Sequence, residues 1–353
     1  MAKRKCRWAL WSVGAITNRV SVEMSQATDY IISAVVSSNK AKAQEHIKKF
    51  GFKKAKAYDN IDDVLSRDDI DIVYIASPPW LHLEHATKVM NAGKAVLVEK
   101  PMANDPSEVK AMFECAKKNN VFCVEGVWSN YFPAMKKAKE WIEAGEIGEV
   151  IEVITTFGGR IDQLGVDPTK PETHWGCRLS TGGGALMQFG PYNVNISQFV
   201  FGKAPEKIIG STDRLKIEDG ADMTTTLLMY YNKGKAHTFM SAGWRAKTMP
   251  ETRISGTNGE ILIGDVFFCP NNAVLKVNTG QHPWLTFEKE RFDDEYLNGN
   301  WAEGRFYEGF KYQFDAVSKY VVDGLKESPD CPAQYSIDLA ETLEKIRKKL
   351  KMQ

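Results

Sequence analysis

Lys100 has the most chemistry to offer. It stands between Glu99 and Pro101, at the end of the apolar run 95–98. An ammonium delivered there meets a partly dry setting, where its pKa falls toward values useful for proton transfer and its N–H groups can donate to a hydroxyl or carbonyl oxygen. An earlier apolar run, 8–13, leads into Ser12-Val13-Gly14-Ala15-Ile16-Thr17. A tight turn there, followed by a helix, aims free amides and the positive end of a helix dipole at an anion such as a pyrophosphate. Of the three glycines in a full dinucleotide fingerprint only Gly14 is present, with Ser12 and Thr17 small enough to serve beside it. Ser12, Gly14, Ala15 and Ile16 are the expected pyrophosphate contacts.

Two further loops continue the series. After run 31–36 comes Ser37-Ser38-Asn39-Lys40-Ala41-Lys42, which lacks the acid that usually holds the ribose hydroxyls of NAD. Hydroxyls beside cations suit a 2′-phosphate, so NADP is favoured over NAD, with Ser37, Ser38 and Lys42 as its contacts. After run 72–76 comes Ser77-Pro78-Pro79-Trp80-Leu81-His82, whose two prolines make a rigid loop able to pack against a ring such as nicotinamide. Ser77, Pro78 and His82 therefore join Glu99 and Lys100 in the expected cofactor crevice.

The elements that must position these residues follow from periodicity. The runs 8–13, 31–36, 72–76 and 95–98 are nearly all apolar, as strands buried on both faces should be. Between them, 40–50 and 82–92 have helical texture and close near Gly51 and Gly93, where a residue with positive φ is wanted. This alternation predicts an α/β Rossmann domain over 1–127. Beyond it, Met135, Ala138, Trp141 and Ile142 mark a helix that ends near Gly145 and Gly148. Strand texture then occupies 151–157, 207–211, 223–231, 236–242, 253–255 and 260–263, with Thr257-Asn258-Gly259 as a tight hairpin. Few crossover helices separate these strands, which predicts an antiparallel meander. Two helices close the chain, one striped by Phe306, Phe310, Phe314 and Val317, the other by Leu339, Leu343, Ile346 and Leu350. Residues 128–353 thus form an α+β domain with a large, mostly antiparallel open sheet, which supplies substrate contacts and, through its uncovered face, a homodimer interface.

Composition narrows the function. A net charge of +1 provides no field for a polyanion, so neither nucleic acid nor an anionic membrane is the expected partner. No signal peptide or membrane span is visible, which predicts a cytoplasmic protein. The six cysteines show no CxxC spacing and the six histidines no HExxH, so reduced thiols and no metal site are expected.

Glu99-Lys100-Pro101, at this distance from the N-terminal turn, resembles the signature of the glucose-fructose oxidoreductase/inositol dehydrogenase (GFO/IDH/MocA) family of NAD(P) enzymes. Ser12-Val13-Gly14, the segment Glu125-Gly126-Val127-Trp128-Ser129-Asn130-Tyr131-Phe132-Pro133, and the run Gly182-Gly183-Gly184-Ala185-Leu186-Met187 with Gly190 and Tyr192 are similar to its dimeric dihydrodiol dehydrogenase branch. Ser255-Gly256-Thr257-Asn258-Gly259 and Gly324-Leu325-Lys326-Glu327-Ser328-Pro329 carry the similarity nearly to the end.

The resemblance implies a Lys/Tyr catalytic pair, Lys100 and Tyr192. Tyr192 would exchange the proton at the reacting oxygen, and Lys100 would lower its pKa and orient the substrate. From the residues alone Tyr192 reads as an ordinary core tyrosine with a satisfied hydroxyl, and only the resemblance reverses that. Trp128 and Phe157 fall where the branch places substrate-facing aromatics, and Arg160, with His174 and Trp175, lies in the loop before the glycine run. Gln188 stands where the family commonly has an aspartate; it can hydrogen-bond the substrate but cannot hold a charge. Pro191 is unusual in a segment expected to open a helix, and a first turn would tolerate it. The small-molecule substrate implied is a cyclic trans-dihydrodiol or a pyranose such as D-xylose. Reduction of a dicarbonyl or deoxysugar by NADPH, or a catalytically silent NADP(H)-binding regulator, stay open as alternatives.

Overall fold

The computed structural model describes residues 4–248, 250–264, 266–282, 285–302 and 308–352. Two compact units divide the chain, Met1–Trp128 with Glu308–Ala340 and Ser129–Tyr307 with Glu341–Gln353. In the first unit strand and helix alternate: β1 Cys6–Trp11, α1 Ala15–Met24, β2 Tyr30–Val36, α2 Lys40–Phe50, β3 Lys56–Tyr58, α3 Asp62–Leu65, β4 Ile72–Ile75, α4 His82–Asn91, β5 Ala95–Glu99, α5 Pro106–Asn119 and β6 Cys123–Gly126. All six strands run parallel in the order β3-β2-β1-β4-β5-β6. The order reverses between β1 and β4, and in open sheets ligands bind outside the carboxyl ends of the strands at such a point.

Local chemistry sets the helix ends. Asn39 accepts the Ala41 N–H at 2.8 Å and caps α2, which stops at Gly51 with φ 68°. Asp105 does the same for α5 through Ser107, and Gly93 turns the chain after α4 with φ 74°.

The sequence assigns everything after residue 127 to a second domain, but residues 308–340 belong to the first unit. The cause is the fully buried Trp8 of β1. Its indole N–H donates to the Ser318 hydroxyl at 2.9 Å, and its ring meets Phe314 edge-on with centroids 5.1 Å apart. Both partners lie on α9 (Phe310–Val322), whose stripe Phe310, Phe314 and Val317 is buried. Phe306, the fourth residue of the expected stripe, lies outside the described residues.

The second unit contains α6 Pro133–Glu143, β7 Val150–Gly158, α7 Ala185–Phe201, β8 Lys207–Arg214, β9 Asp222–Tyr231, β10 Ala236–Gly243, β11 Thr252–Gly256, β12 Gly259–Ile263, β13 Asn272–Val277, β14 Phe287–Asp293 and α8 Glu295–Ala302. The last helix, α10 Ala333–Lys349, begins in the first unit and ends in this one. Its eight strands are ordered β14-β13-β12-β11-β7-β10-β9-β8. This corrects the meander: β7 sits mid-sheet and pairs parallel with β10, because the long connection 159–184 and α7 return the chain before β8 begins. The other pairings are antiparallel, so the sheet is mixed and mostly antiparallel. The two residues Thr257 and Asn258 join β11 to β12, with Ser255 opposite Glu260.

One sheet face, with Thr225, Leu227, Met229, Thr238 and Met240 buried, includes the strands β7, β9 and β10 on which α7 packs. On the other face Ile209, Leu228, Phe239 and Ile154 stand in one register across four neighbouring strands. Ile209 is 44% exposed and the other three are half-buried. Among the described residues no helix is long and apolar enough to cross a membrane, and no group of three His, Cys, Asp or Glu could hold a metal ion.

Candidate active site

At the end of β1 the backbone turns sharply. Ser12 adopts φ 87°, the left-handed region that favours glycine, and this is where a fuller fingerprint would place one. Two bonds hold it there: its N–H donates to the Val36 carbonyl at 2.9 Å, and the Thr17 hydroxyl donates to its carbonyl at 2.7 Å. Gly14 is extended, a conformation open to any residue, and no heavy atom lies within 4 Å of where a Cβ would stand. What its missing side chain leaves is therefore open approach to the backbone. No side chain caps α1, so its first amides, at exposed Ala15 and half-buried Ile16, face that opening with the positive end of the helix dipole.

At the tip of β2, Ser37 is buried and its N–H donates to the Tyr58 carbonyl at 3.1 Å. Ser38, Lys40 and Lys42 are exposed, and no carboxylate occurs in 37–42. In the third loop Ser77 is buried and Pro78 half-buried. His82 is 1% exposed, with Nε2 2.7 Å from the Ser77 carbonyl and Nδ1 3.1 Å from that of Met102. Its ring thus ties two loops together, and burial holds its pKa below the ordinary histidine value. The Ser77 hydroxyl meets His85 Nδ1 at 3.0 Å, and the His85 ring stacks on Trp11 with centroids 3.9 Å apart.

Lys100 emerges from β5 through a cis peptide bond to Pro101. Two carboxyl groups bracket this segment. Glu99 accepts the Tyr74 hydroxyl at 2.6 Å and the Lys100 backbone N–H at 3.1 Å, while Glu125 of β6 accepts the Met102 N–H at 2.9 Å. Burial lowers the Lys100 ammonium to about 8; the charges of Glu99 and Glu125 resist this fall and Arg19 adds to it. Burial likewise raises Glu99, and takes Glu125 to about 7. Glu125 escaped the reading of the residues as a chemical group, although one acid in the otherwise apolar run Cys123-Val124-Glu125-Gly126 is a signal.

In the second unit the glycine run has a steric cause. A Cβ on Gly183 would stand 2.3 Å from the Gly176 carbonyl oxygen, and one on Gly184, whose φ is 111°, would stand 2.0 Å from Asp222 Oδ1. The run packs backbone to backbone and delivers the start of α7. Gln188 and Tyr192 follow on this helix, four residues apart, both half-buried. Pro191 lies in the helix interior rather than in its first turn, because α7 already begins at Ala185.

Phe157 lies between Phe189 and Phe268, stacked on both with centroids 4.1 and 4.5 Å away. The Tyr192 ring leans on this stack, 5.8 Å from Phe157 and 5.3 Å from Phe268. Tyr192 therefore sits beside an aromatic wall of which Phe157 was expected and Phe268 was not. Arg160 is exposed and forms a two-pronged pair with Asp162 at 3.0 and 2.7 Å. Trp128, in the first unit, is 3% exposed and stacks on Phe310 with centroids 3.8 Å apart.

Comparisons with known proteins find two family models, relatives that match along nearly the whole chain, and solved structures of the same fold. Residues 7–127 match the model of an oxidoreductase family with an NAD-binding Rossmann fold, and residues 135–262 match the GFO/IDH/MocA C-terminal domain. Trans-1,2-dihydrobenzene-1,2-diol dehydrogenase of Bos taurus is 28% identical over 345 residues, which cover 97% of this chain and 96% of that protein. Its Mus musculus counterpart is 29% identical with the same coverage. An aldose-aldose oxidoreductase from Caulobacter crescentus superposes with a TM-score of 0.80 at 21% identity, covering 99% of this chain and 98% of the other. A levoglucosan dehydrogenase solved with NADH and levoglucosan gives 0.80 at 20% identity and the same coverage. A 3-ketoreductase from Actinomadura kijaniata solved with NADP gives 0.77 at 18%, covering 98% of each chain.

Proposed function

The chain belongs to the GFO/IDH/MocA oxidoreductase family and is an NAD(P)-dependent dehydrogenase; from that premise we propose that it is NADP-dependent and acts on a secondary alcohol of a cyclic trans-dihydrodiol or of a pyranose such as D-xylose, with Lys100 and Tyr192 as its catalytic pair. The observation that carries this reading is the place of Lys100 at the carboxyl end of β5, where Glu99 holds its backbone N–H and Glu125 holds that of Met102.

The opening before Gly14 and the uncapped start of α1 fit a pyrophosphate, and Ser12, Ala15 and Ile16 line it. Exposed Ser38 and Lys42, with no acid in 37–42, favour the 2′-phosphate of NADP, and Ser37, Ser77, Pro78, His82 and Glu99 shape the rest of the crevice. When bound, the nicotinamide supplies hydride exchange at the substrate carbon. Tyr192 takes the proton from the substrate hydroxyl in oxidation and returns it in reduction. Lys100 holds the reacting oxygen and, as a cation, favours the phenolate form of Tyr192. Phe157, inside its stack, and Trp128, buried against Phe310, would give the site apolar backing rather than a free ring face, and Gln188 and Arg160 offer hydrogen bonds. The same residues serve reduction of a dicarbonyl or deoxysugar in the reverse direction.

Two further features accompany this reading. The row Ile209, Leu228, Phe239 and Ile154 on the sheet face away from α7 supports a homodimer. All six cysteines are free and five are buried, which supports a cytoplasmic setting.

The test is oxidation of D-xylose and trans-1,2-dihydrobenzene-1,2-diol with NADP, followed by nicotinamide absorbance in the wild type, Lys100→Met and Tyr192→Phe. The reading expects turnover of at least one substrate, lost by roughly 100-fold or more in each variant. Turnover in Tyr192→Phe at the wild-type rate would remove the catalytic pair.

A further inference from the structure

Asp222 opens β9 and is fully buried. Its Oδ2 accepts two hydrogen bonds, from the Leu186 N–H at 2.9 Å and from the Thr225 hydroxyl at 2.8 Å. Its Oδ1 has no hydrogen-bond partner among the described residues and lies against Gly184, where a Cβ would approach it to 2.0 Å. The glycine at the head of α7 has no side chain to cap the helix, so the cap comes instead from a strand 36 residues later in the chain. An anion there also meets the positive end of the helix dipole.

We propose that Asp222 is the positioning residue that fixes the start of α7 and thereby sets where Gln188 and Tyr192 stand for the reaction. The proposal rests on the reading of Tyr192 as catalytic. Burial pushes the Asp222 carboxyl up to about 6. An ionisable group is thus kept in a dry place where its cost is real; its bond to the Leu186 N–H ties sheet to helix, and the Thr225 bond, within β9, holds the carboxylate in place. Leu186 and Tyr192 are six residues apart, about 9 Å along a helix axis, so a small tilt at the anchored end displaces the phenol. Displacements near 1 Å cost roughly 100-fold in rate.

The experiment compares full-length wild type, Asp222→Ala, Asp222→Asn, Thr225→Ala and Tyr192→Phe by hydrogen exchange of residues 185–192 and by steady-state kinetics. In Asp222→Ala those amides are expected to exchange at least tenfold faster while β4 and β5 are unchanged, and kcat to fall at least tenfold with the NADP KM within about twofold. Asp222→Asn, whose amide oxygen still accepts from Leu186, is expected to restore most of both. Thr225→Ala, which removes one bond and leaves the acid in place, is expected to fall between; it carries the same test if Asp222→Ala does not fold. Unchanged exchange at 185–192 overturns the anchor, and faster exchange with unchanged kcat overturns its link to the reaction. Full activity in Tyr192→Phe would instead refute the catalytic reading of Tyr192, and the exchange data alone would then decide the anchor.

Discussion

The alkaline limb of the reduction rate reports directly on Lys100. An ordinary lysine keeps its proton to about pH 10.4, but here burial, opposed by Glu99 and Glu125, brings the ammonium to about 8. A lowered lysine loses its charge as pH rises through the lowered value. About nine-tenths of the molecules carry the charge at pH 7 and about one-tenth at pH 9. If the cation holds the reacting oxygen, kcat/KM for reduction of a carbonyl substrate by NADPH falls roughly tenfold over that interval. The assay is initial rate against pH at constant ionic strength for wild type and Lys100→Arg. A guanidinium stays charged throughout, so the variant, whatever its absolute rate, should lose the limb near pH 8. A wild-type profile flat to pH 9, or a limb at the same midpoint in Lys100→Arg, would show that the Lys100 charge does not hold the reacting oxygen.

Three other outcomes follow from the packing. Phe239→Glu places a charge in the middle of the apolar row on the sheet face away from α7 and should convert the proposed dimer to a monomer by light scattering at micromolar concentration; a wild type already monomeric would remove the dimer. Trp8→Ala removes a fully buried indole, its edge contact with Phe314 and its bond to Ser318, and should cost about 3–5 kcal/mol in denaturant unfolding. A loss under about 1 kcal/mol would mean that α9 is held by other contacts. Lys42→Ala should weaken NADPH by roughly fivefold and leave NADH unchanged, as expected for one exposed ion pair; equal weakening of both would move the phosphate contact elsewhere.

The parallel sheet was legible because its signals are local. Continuous apolar runs mark β1, β4 and β5, and Gly51 and Gly93 end their helices through positive φ. The second sheet was harder. Its antiparallel strands alternate visibly, but the parallel pairing of β7 with β10 depends on where a long connection returns the chain, and no local pattern encodes that. β13 and β14 escaped as well, and β14, Phe287-Glu288-Lys289-Glu290-Arg291-Phe292-Asp293, is largely exposed and has no apolar alternation to read.

Site residues divide in the same way. Lys100 stood out as a cation at the end of a buried run, whereas Tyr192 rested on resemblance alone. The roles of Ser12 in the left-handed region, Glu125 on the Met102 amide and Asp222 on the Leu186 amide lie in backbone angles and contacts across strands. Residue type and spacing do not carry that information.

Cofactor binding, on which the dehydrogenase reading stands, is measured by titrating the purified protein with NADPH and NADH side by side, following nicotinamide fluorescence. Both are expected to bind, NADPH at least about tenfold tighter, a difference of roughly 1.4 kcal/mol. Tighter binding of NADH would contradict the phosphate site at Ser38 and Lys42, and binding of neither would contradict the dehydrogenase itself.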